Sequence, residues 1–359
     1  MFLEHDPVEL LAVFGGLGLP KFRVRQVRRW VFARKTTSFD EMTDLSKETR
    51  QLLTEQFGSV LQGKELTRYR SGDSTEKLLI EWQDGERIEC VLLRDDRNHR
   101  TACISTQVGC AMGCVFCASG KDGFVRNLSR GEILEQLLRL NSLLPQHERL
   151  THVVVMGIGE PLLNLDALLS ALDEVTDSDG LDLSVRRVTV STVGIPSGIR
   201  NLADSVVRGG KSYKLAVSLH APNNQLRTQI IPQNRFSGIE NILNATDDYF
   251  KQTGRRVTFE YTLIDRLNDQ PEHARQLIHL LRNRTAIVNV IPLNPVPDLE
   301  FRTPPAQTVQ HFVEQLQAGG LQVKVRLRKG DQINAACGQL RRSGEWGVDS
   351  GELIVESGE

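Results

Sequence analysis

The chain has 359 residues, of which 40% are hydrophobic and 25% charged, a globular balance that argues against long disorder, a collagen-like chain or a membrane protein. With 44 Lys and Arg against 45 Asp and Glu the net charge is -1, so bulk charge cannot coat nucleic acid, although a local basic patch can. The longest apolar runs, such as Val153–Met156, are strand-sized, and Met1 to Leu10 carries Glu4, Asp6 and Glu9 without a basic leader, so the expected location is the cytoplasm.

Residues 1–57 read as a small helical accessory unit. Asp6-Pro7 opens a first helix, Phe22–Phe32 has apolar positions at helical spacing, and either Ser38 or Ser46 followed by Glu48 starts a third. Lys21 to Lys35 holds seven basic residues and no acidic one, which suits either RNA phosphates or a solvated helix face. Residues 58–99 change to short alternating runs with an Asp84-Gly85 turn, the signature of a small antiparallel sheet. From residue 100 to 340 an apolar β-branched run, a polar loop and a helix recur. Strands are expected at Ala102–Ser105, His152–Met156, Arg187–Ser191, Lys214–Ser218, Val257–Leu263 and Ala286–Ile291, with helices including Ser129–Leu143, Leu165–Val175, Ile239–Gln252 and Glu272–Arg282. Six such units predict an α/β fold, a partial (βα)6 barrel, with its chemistry at the carboxyl ends of the strands. A further strand, Gln322–Leu327, opens a stretch that puts Lys324, Arg326 and Arg328 on one face, either an RNA path or an edge protected by charge. Residues 341–359 form an unassigned tail.

Cys110, Cys114 and Cys117 form a C-x3-C-x2-C run directly after the first barrel strand. Three clustered thiolates suit a [4Fe–4S] cluster with one iron left open; structural zinc wants a fourth ligand, and none stands nearby at the usual spacing. Gly157-Ile-Gly159 after a strand is not a dinucleotide fingerprint, because the third glycine is absent and Glu160-Pro161 would oppose a pyrophosphate. Glu160 is a carboxylate suited to an ammonium group, and Ser191 and Asn294 offer hydrogen bonds. Phe116 can pack on an adenine or belong to the core, and His220 taken alone reads as a satisfied strand-end histidine.

Three cysteines on the first loop of a six-fold βα repeat resemble the radical S-adenosylmethionine superfamily. The runs Cys103–Gly120, Gly123–Leu128, Met156–Asn164 and Ala335–Leu340, with Phe22–Gln26 and Thr37–Thr43, resemble more narrowly the RlmN/Cfr family of RNA adenine methyltransferases. That resemblance implies a [4Fe–4S] cluster on Cys110, Cys114 and Cys117, and S-adenosylmethionine held by Gly159, Glu160, Ser191, Ser218, Leu219, His220 and Asn294. It implies a methyl group carried on Cys337 and passed as a methylene radical to an adenine carbon. The resulting thioether is opened by Cys103, which forms a disulfide with Cys337, and Glu89 accepts the ring proton; read only as a residue, Glu89 is a surface strand carboxylate. Cys90 is left as a packed strand residue. The implied partners are large-subunit rRNA, with tRNA as a candidate second substrate, and an electron donor such as flavodoxin or ferredoxin, for a protein expected to be monomeric and membrane-free. Val108 favours the C2-directing branch over the C8-directing one.

Overall fold

The computed structural model describes residues 1–341 apart from 122, 298, 327 and 328, together with the backbone of 352–354. At the amino end, α1 (Pro7–Gly16) starts at a capping box in which Asp6 accepts from Glu9 N–H and Glu9 accepts from Asp6 N–H. Next come α2 (Phe22–Phe32) and α3 (Lys47–Phe57). Ser46 is the N-cap of α3, whereas Ser38 caps only the 3-10 turn Phe39–Glu41, which decides between the two expected starts. Phe2, Phe14 and Phe39 all meet the ring of Phe57 and form the small core of this unit.

The basic run of α2 divides its labour. Arg28 is buried and donates to Glu174, which also receives Arg130 at 3.0 Å, while Arg25 pairs with Asp179 at 2.8 Å. Lys35 Nζ donates to the carbonyls of Leu144, Pro145 and Glu148. These three cations therefore join the helical unit to the rest of the chain. Arg29 and Arg34 stay exposed, with Arg34 lying 4.0 Å over the ring of Trp30, and they line a groove with Phe22 and Gln26.

Three antiparallel strands follow, β1 (Lys64–Arg70), β2 (Glu76–Glu81) and β3 (Arg87–Arg94), the last two joined through Gly85 at φ +80°. They continue the main sheet, because β3 pairs antiparallel with β4 (Arg100–Cys103). A separate hairpin, β5 (Gln107–Gly109) with β6 (Phe124–Asn127), frames the C-x3-C-x2-C loop. Beyond it lie β7 (His152–Val155), β8 (Val188–Thr192), β9 (Lys214–Ser218), β10 (Val257–Leu263), β11 (Ala286–Pro292) and β12 (Gln322–Val325).

From β4 through β12 these seven strands are parallel, each paired with the next in chain order, and a last strand β13 (Glu352–Ile354) pairs with β1 at the far edge. The helices on the connections are α4 (Arg130–Ser142), α5 (Leu165–Thr176), α6 (Pro196–Gly209), α7 (Asn224–Ile230), α8 (Asn234–Ser237), α9 (Ile239–Thr253), α10 (Pro271–Leu281) and α11 (Ala306–Ala318). This is the expected six-fold βα repeat with one closing strand. Among the described residues β4 and β12 do not pair with one another, so the barrel is open. Its strands bury Val153, Val190, Val217, Phe259 and Val290 against the helices. Among the described residues no helix is long and apolar enough to cross a membrane.

The late strand departs from expectation. It spans Gln322–Val325, and Leu327 and Arg328 lie outside the described residues; Lys324 is exposed, and Arg326 lines the central cavity. Once the strand has passed its last ladder pair, an inward-facing side chain meets the hollow at the carboxyl end instead of solvent.

Candidate active site

At the carboxyl ends of the parallel strands a cavity of about 150 Å³ is lined by Cys110, Cys114, Cys117, Gly159, Glu160, Ser191, Ser218, His220, Asn294 and Cys337. Ten of the residues singled out from sequence therefore meet in one hollow. A neighbouring cavity of about 80 Å³ is lined by Cys103 and again by Cys337. Met156, Ile291, Asn294 and Arg326 line both cavities as well, so Cys337 lies on their common wall.

The first thiol loop is shaped by backbone. Gly109 has φ +71°, and a Cβ there would overlap the carbonyl oxygen of Gly123, which accepts the N–H of Cys110 at 2.8 Å. Gly109→Ala is expected to cost about 2 kcal/mol or more through backbone strain and displacement of that loop. Thermal unfolding together with iron content checks this, and an unchanged midpoint with unchanged iron would contradict it. All six cysteines are free thiols in the structure. Burial pushes Cys110 up to about 12 and raises Cys114 and Cys117 as well, so these thiols need a bound cationic centre to become thiolates. Among the described residues no three His, Cys, Asp or Glu side chains converge on a single ion. Three thiols in the wall of one hollow fit a polynuclear iron–sulfur cluster that takes three cysteines and leaves one iron open.

Glu160 follows β7 and a glycine, Gly159 at φ +108°, where a Cβ would stand 2.6 Å from the Cβ of Gln107. Its carboxylate accepts N–H groups from Val193 at 2.7 Å and Leu162 at 3.1 Å, and burial lifts its pKa to about 7. No Lys, Arg or His among the described residues forms an ion pair with it, so this buried carboxyl lacks a protein cation, and the ammonium of an amino-acid ligand would favour its charged form. Asn294 donates to the carbonyl of Cys337 at 3.1 Å, while its buried Oδ1 has no partner among the described residues, and the residue lines the same hollow. Both groups fit the polar head of S-adenosylmethionine.

His220 stands at φ +56°, accepts the N–H of Thr262 on Nδ1 at 2.9 Å and is pushed down to about 3, first by burial and then by Arg227. It is a neutral ring with its proton on Nε2, both satisfied at the strand end and present in the cavity wall. Phe116 meets it edge-on at 5.0 Å. Leu219 differs from expectation: its side chain belongs to the main hydrophobic core and does not line the cavity, because neighbouring residues at a strand end point to opposite sides.

Glu89 lines neither cavity, and it is no surface carboxylate. Fully buried on β3, it pairs with Lys77 Nζ at 2.8 Å and accepts the N–H of Arg341 at 2.8 Å, and burial raises its pKa. Cys103, at the end of β4, is pushed up to about 12 by burial. Cys90 is packed in the core as expected.

The segment carrying Cys337 is held from two sides. Gly338 O accepts from Ala118 N at 2.8 Å and Leu340 O from Ser119 Oγ at 2.7 Å, which tie it to the thiol loop. Lys77 also donates to Asn334 O at 3.3 Å, so one buried ion pair touches this segment on both sides of the cysteine. Sequence reasoning did not single out Arg227, which is buried and donates to the carbonyls of Val193, Ser218 and Leu219, binding the ends of β8 and β9 together. Nor did it single out Glu260, although a carboxylate in the middle of an otherwise buried strand is a visible signal.

Comparison with known proteins agrees with this geometry. The family model "Ribosomal RNA large subunit methyltransferase N-terminal domain" matches residues 2–58, and "Radical SAM superfamily" matches residues 104–278. The chain is 53% identical over 326 residues to "Probable dual-specificity RNA methyltransferase RlmN" of Rhodopirellula baltica, covering 91% of this chain and 86% of that protein. It is 44% identical to the protein of the same name from Thermosipho melanesiensis, covering 93% and 96%. The crystal structure of a radical SAM methyltransferase from Sphaerobacter thermophilus superposes with a TM-score of 0.91 at 38% identity, covering 95% of this chain and 99% of that one. An α/β barrel carrying three thiols and a helical amino-terminal unit, with this similarity along nearly its whole length, makes the chain a radical SAM enzyme of the RlmN RNA methyltransferase family.

Proposed function

We propose that this enzyme methylates a ring carbon of adenosine, C2 in preference to C8, in large-subunit rRNA and also in tRNA, with Cys337 carrying the methyl group. The observation that carries the reading is the seat of Cys337 on the wall common to the three-thiol hollow and the Cys103 cavity. A ring carbon of adenine is too electron-poor to displace a methyl group from a sulfonium, so a protein sulfur must take the group first and hand it over as a radical.

Cys110, Cys114 and Cys117 would hold a [4Fe–4S] cluster, and Glu160, Asn294, Ser191, Ser218 and His220 the amino-acid and ribose groups of S-adenosylmethionine. When bound, these cofactors supply the methyl group and the 5'-deoxyadenosyl radical that takes a hydrogen atom from it. Cys337 bears the methyl group on Sγ and adds it, as the methylene radical, to the ring carbon; Glu89 accepts the ring proton, and the unpaired electron of the adduct leaves to the electron-transfer partner, which makes the thioether closed-shell. The raised pKa of this buried carboxylate suits a base, and to reach the ring it must leave Lys77 and Arg341. Cys103 then attacks Sγ of Cys337: an S–S bond forms, the S–CH2 bond breaks, and its electron pair stays on carbon, which takes a proton to become methyl. The structure holds no disulfide, all six cysteines being free, so the bond is proposed as a transient of turnover that two electrons from the reductant reopen.

Residues 1–57 serve as an RNA-contacting unit through the groove of Arg29, Arg34, Trp30 and Phe22, residues 58–99 as the β extension that supplies Glu89, and 100–340 as the catalytic barrel. An electron donor of the flavodoxin or ferredoxin class completes the cytoplasmic system, with the enzyme acting as a monomer. Mass analysis of nucleosides from rRNA and tRNA of cells with and without this protein tests the reading. The expected loss is 2-methyladenosine from both RNAs; 8-methyladenosine as sole product would overturn the C2 assignment.

A further inference from the structure

We infer that Arg326 is the positioning cation that holds the resolving cysteine, Cys103, as a reactive thiolate after Cys337 has become a thioether. The inference rests on the carrier-and-resolver reading above. Arg326 leaves the end of β12, donates its N–H to Val290 O at 2.9 Å, and turns its guanidinium into the wall shared by the two cavities, 3.7 Å from the sulfur of Met156. It is the one cationic side chain that lines both hollows among the described residues. The groups facing Cys103 are Cys337, Arg326 and, within the sheet, Cys90. Lys329 also lines the smaller cavity, but its ammonium is turned to the carbonyl of Arg94.

The charges of the wall change through the reaction in a way that favours this role. In the resting chain burial pushes Cys103 up first, repulsion from Cys337 adds to that, and Arg326 opposes both. Arg326 is itself drawn upward by Cys337 first and then, against burial, by Glu260 and Cys103. Once Cys337 is bonded to carbon its sulfur is neutral. The repulsion on Cys103 is gone, and a guanidinium that had two sulfurs to serve has one. Glu260 lines the larger hollow with Arg326 and adds a favourable charge to it; its own carboxylate is fixed by Asn289 Nδ2 at 2.7 Å. A guanidinium cannot lose its proton, so the cation never competes for the proton that Cys103 gives up.

The test uses the reconstituted holoenzyme with an rRNA fragment, S-adenosylmethionine and reductant without oxygen, in wild type, Arg326→Met, Arg326→Lys and Cys103→Ala. Arg326→Met is expected to accumulate RNA-linked protein at least about tenfold over wild type, and release of its product should accelerate about tenfold per pH unit between about pH 7 and 9, as the thiolate fraction grows. Arg326→Lys should restore release, since the charge is kept. Product release by Arg326→Met at the wild-type rate, or an adduct whose release ignores pH, would overturn the role. Should Arg326→Met fail to fold, Arg326→Gln is read the same way. Failure of Cys103→Ala to give any adduct would instead sink the carrier-and-resolver reading.

Discussion

Cys103→Ala should leave the enzyme joined to its RNA through Cys337, with released methylated nucleoside falling by about a thousandfold or more, because no other thiol can open the thioether. The geometry narrows the substitutes: Cys90 is packed in the core, and Cys110, Cys114 and Cys117 line only the other hollow. Methyl transfer to Cys337 and the radical step both precede the missing one, so the variant should still consume about two S-adenosylmethionine molecules per chain, one as methyl donor and one as radical source. A denaturing gel with labelled RNA, followed by peptide mass analysis at Cys337, measures the outcome. Clean multiple turnover would remove Cys103 from its role. An adduct on a different residue would remove Cys337 from its own.

Lys77→Met should destabilise the fold by about 3–5 kcal/mol, since it leaves the carboxylate of Glu89 buried without its cation. Loss of the ammonium also frees the carbonyl of Asn334, so the segment bearing Cys337 loses part of its anchorage. The double substitution Lys77→Met with Glu89→Leu should recover most of that stability, because an apolar pair of similar volume carries no desolvation cost. Turnover should not recover with it if Glu89 takes the ring proton. Denaturant unfolding of the two single variants and the double variant gives the coupling directly. A Lys77→Met variant as stable as wild type would show that the pair contributes nothing, and full activity in the double variant would dismiss Glu89 as the base.

The parts of this molecule that repeat were the parts legible in its residues. The bounds of α2, β9 and β10 follow from apolar periodicity, which depends only on neighbours along the chain. The hairpin β5–β6 was missed because strands of three and four residues carry too few positions for a period to emerge. Long-range polar partners were invisible for a different reason. Arg227 finds its carbonyls eight, nine and 34 residues away, and nothing in its surroundings announces them. The Lys77–Glu89 pair lies between these cases. Leu79 pairs with Glu89 and Lys77 with Val91 across the hairpin, so the two charged residues are diagonal neighbours on one face, and the Asp84-Gly85 turn already implies that register. What the turn does not say is that this face is sealed by the Cys337 segment, which comes from about 250 residues later.

The gap between β4 and β12 bears on the size of molecule that can be modified. A ring of strands closed by hydrogen bonds fixes its own circumference and admits only what fits through its mouth. Here the circle is interrupted, and polypeptide that is not part of the ladder, the stretch from Lys329 to Arg341, occupies the interruption and is fastened there by side-chain contacts instead. An interruption of that kind lets a large polymer present one unit to the interior while its bulk stays outside, and the stretch that borders it is the one that carries Cys337.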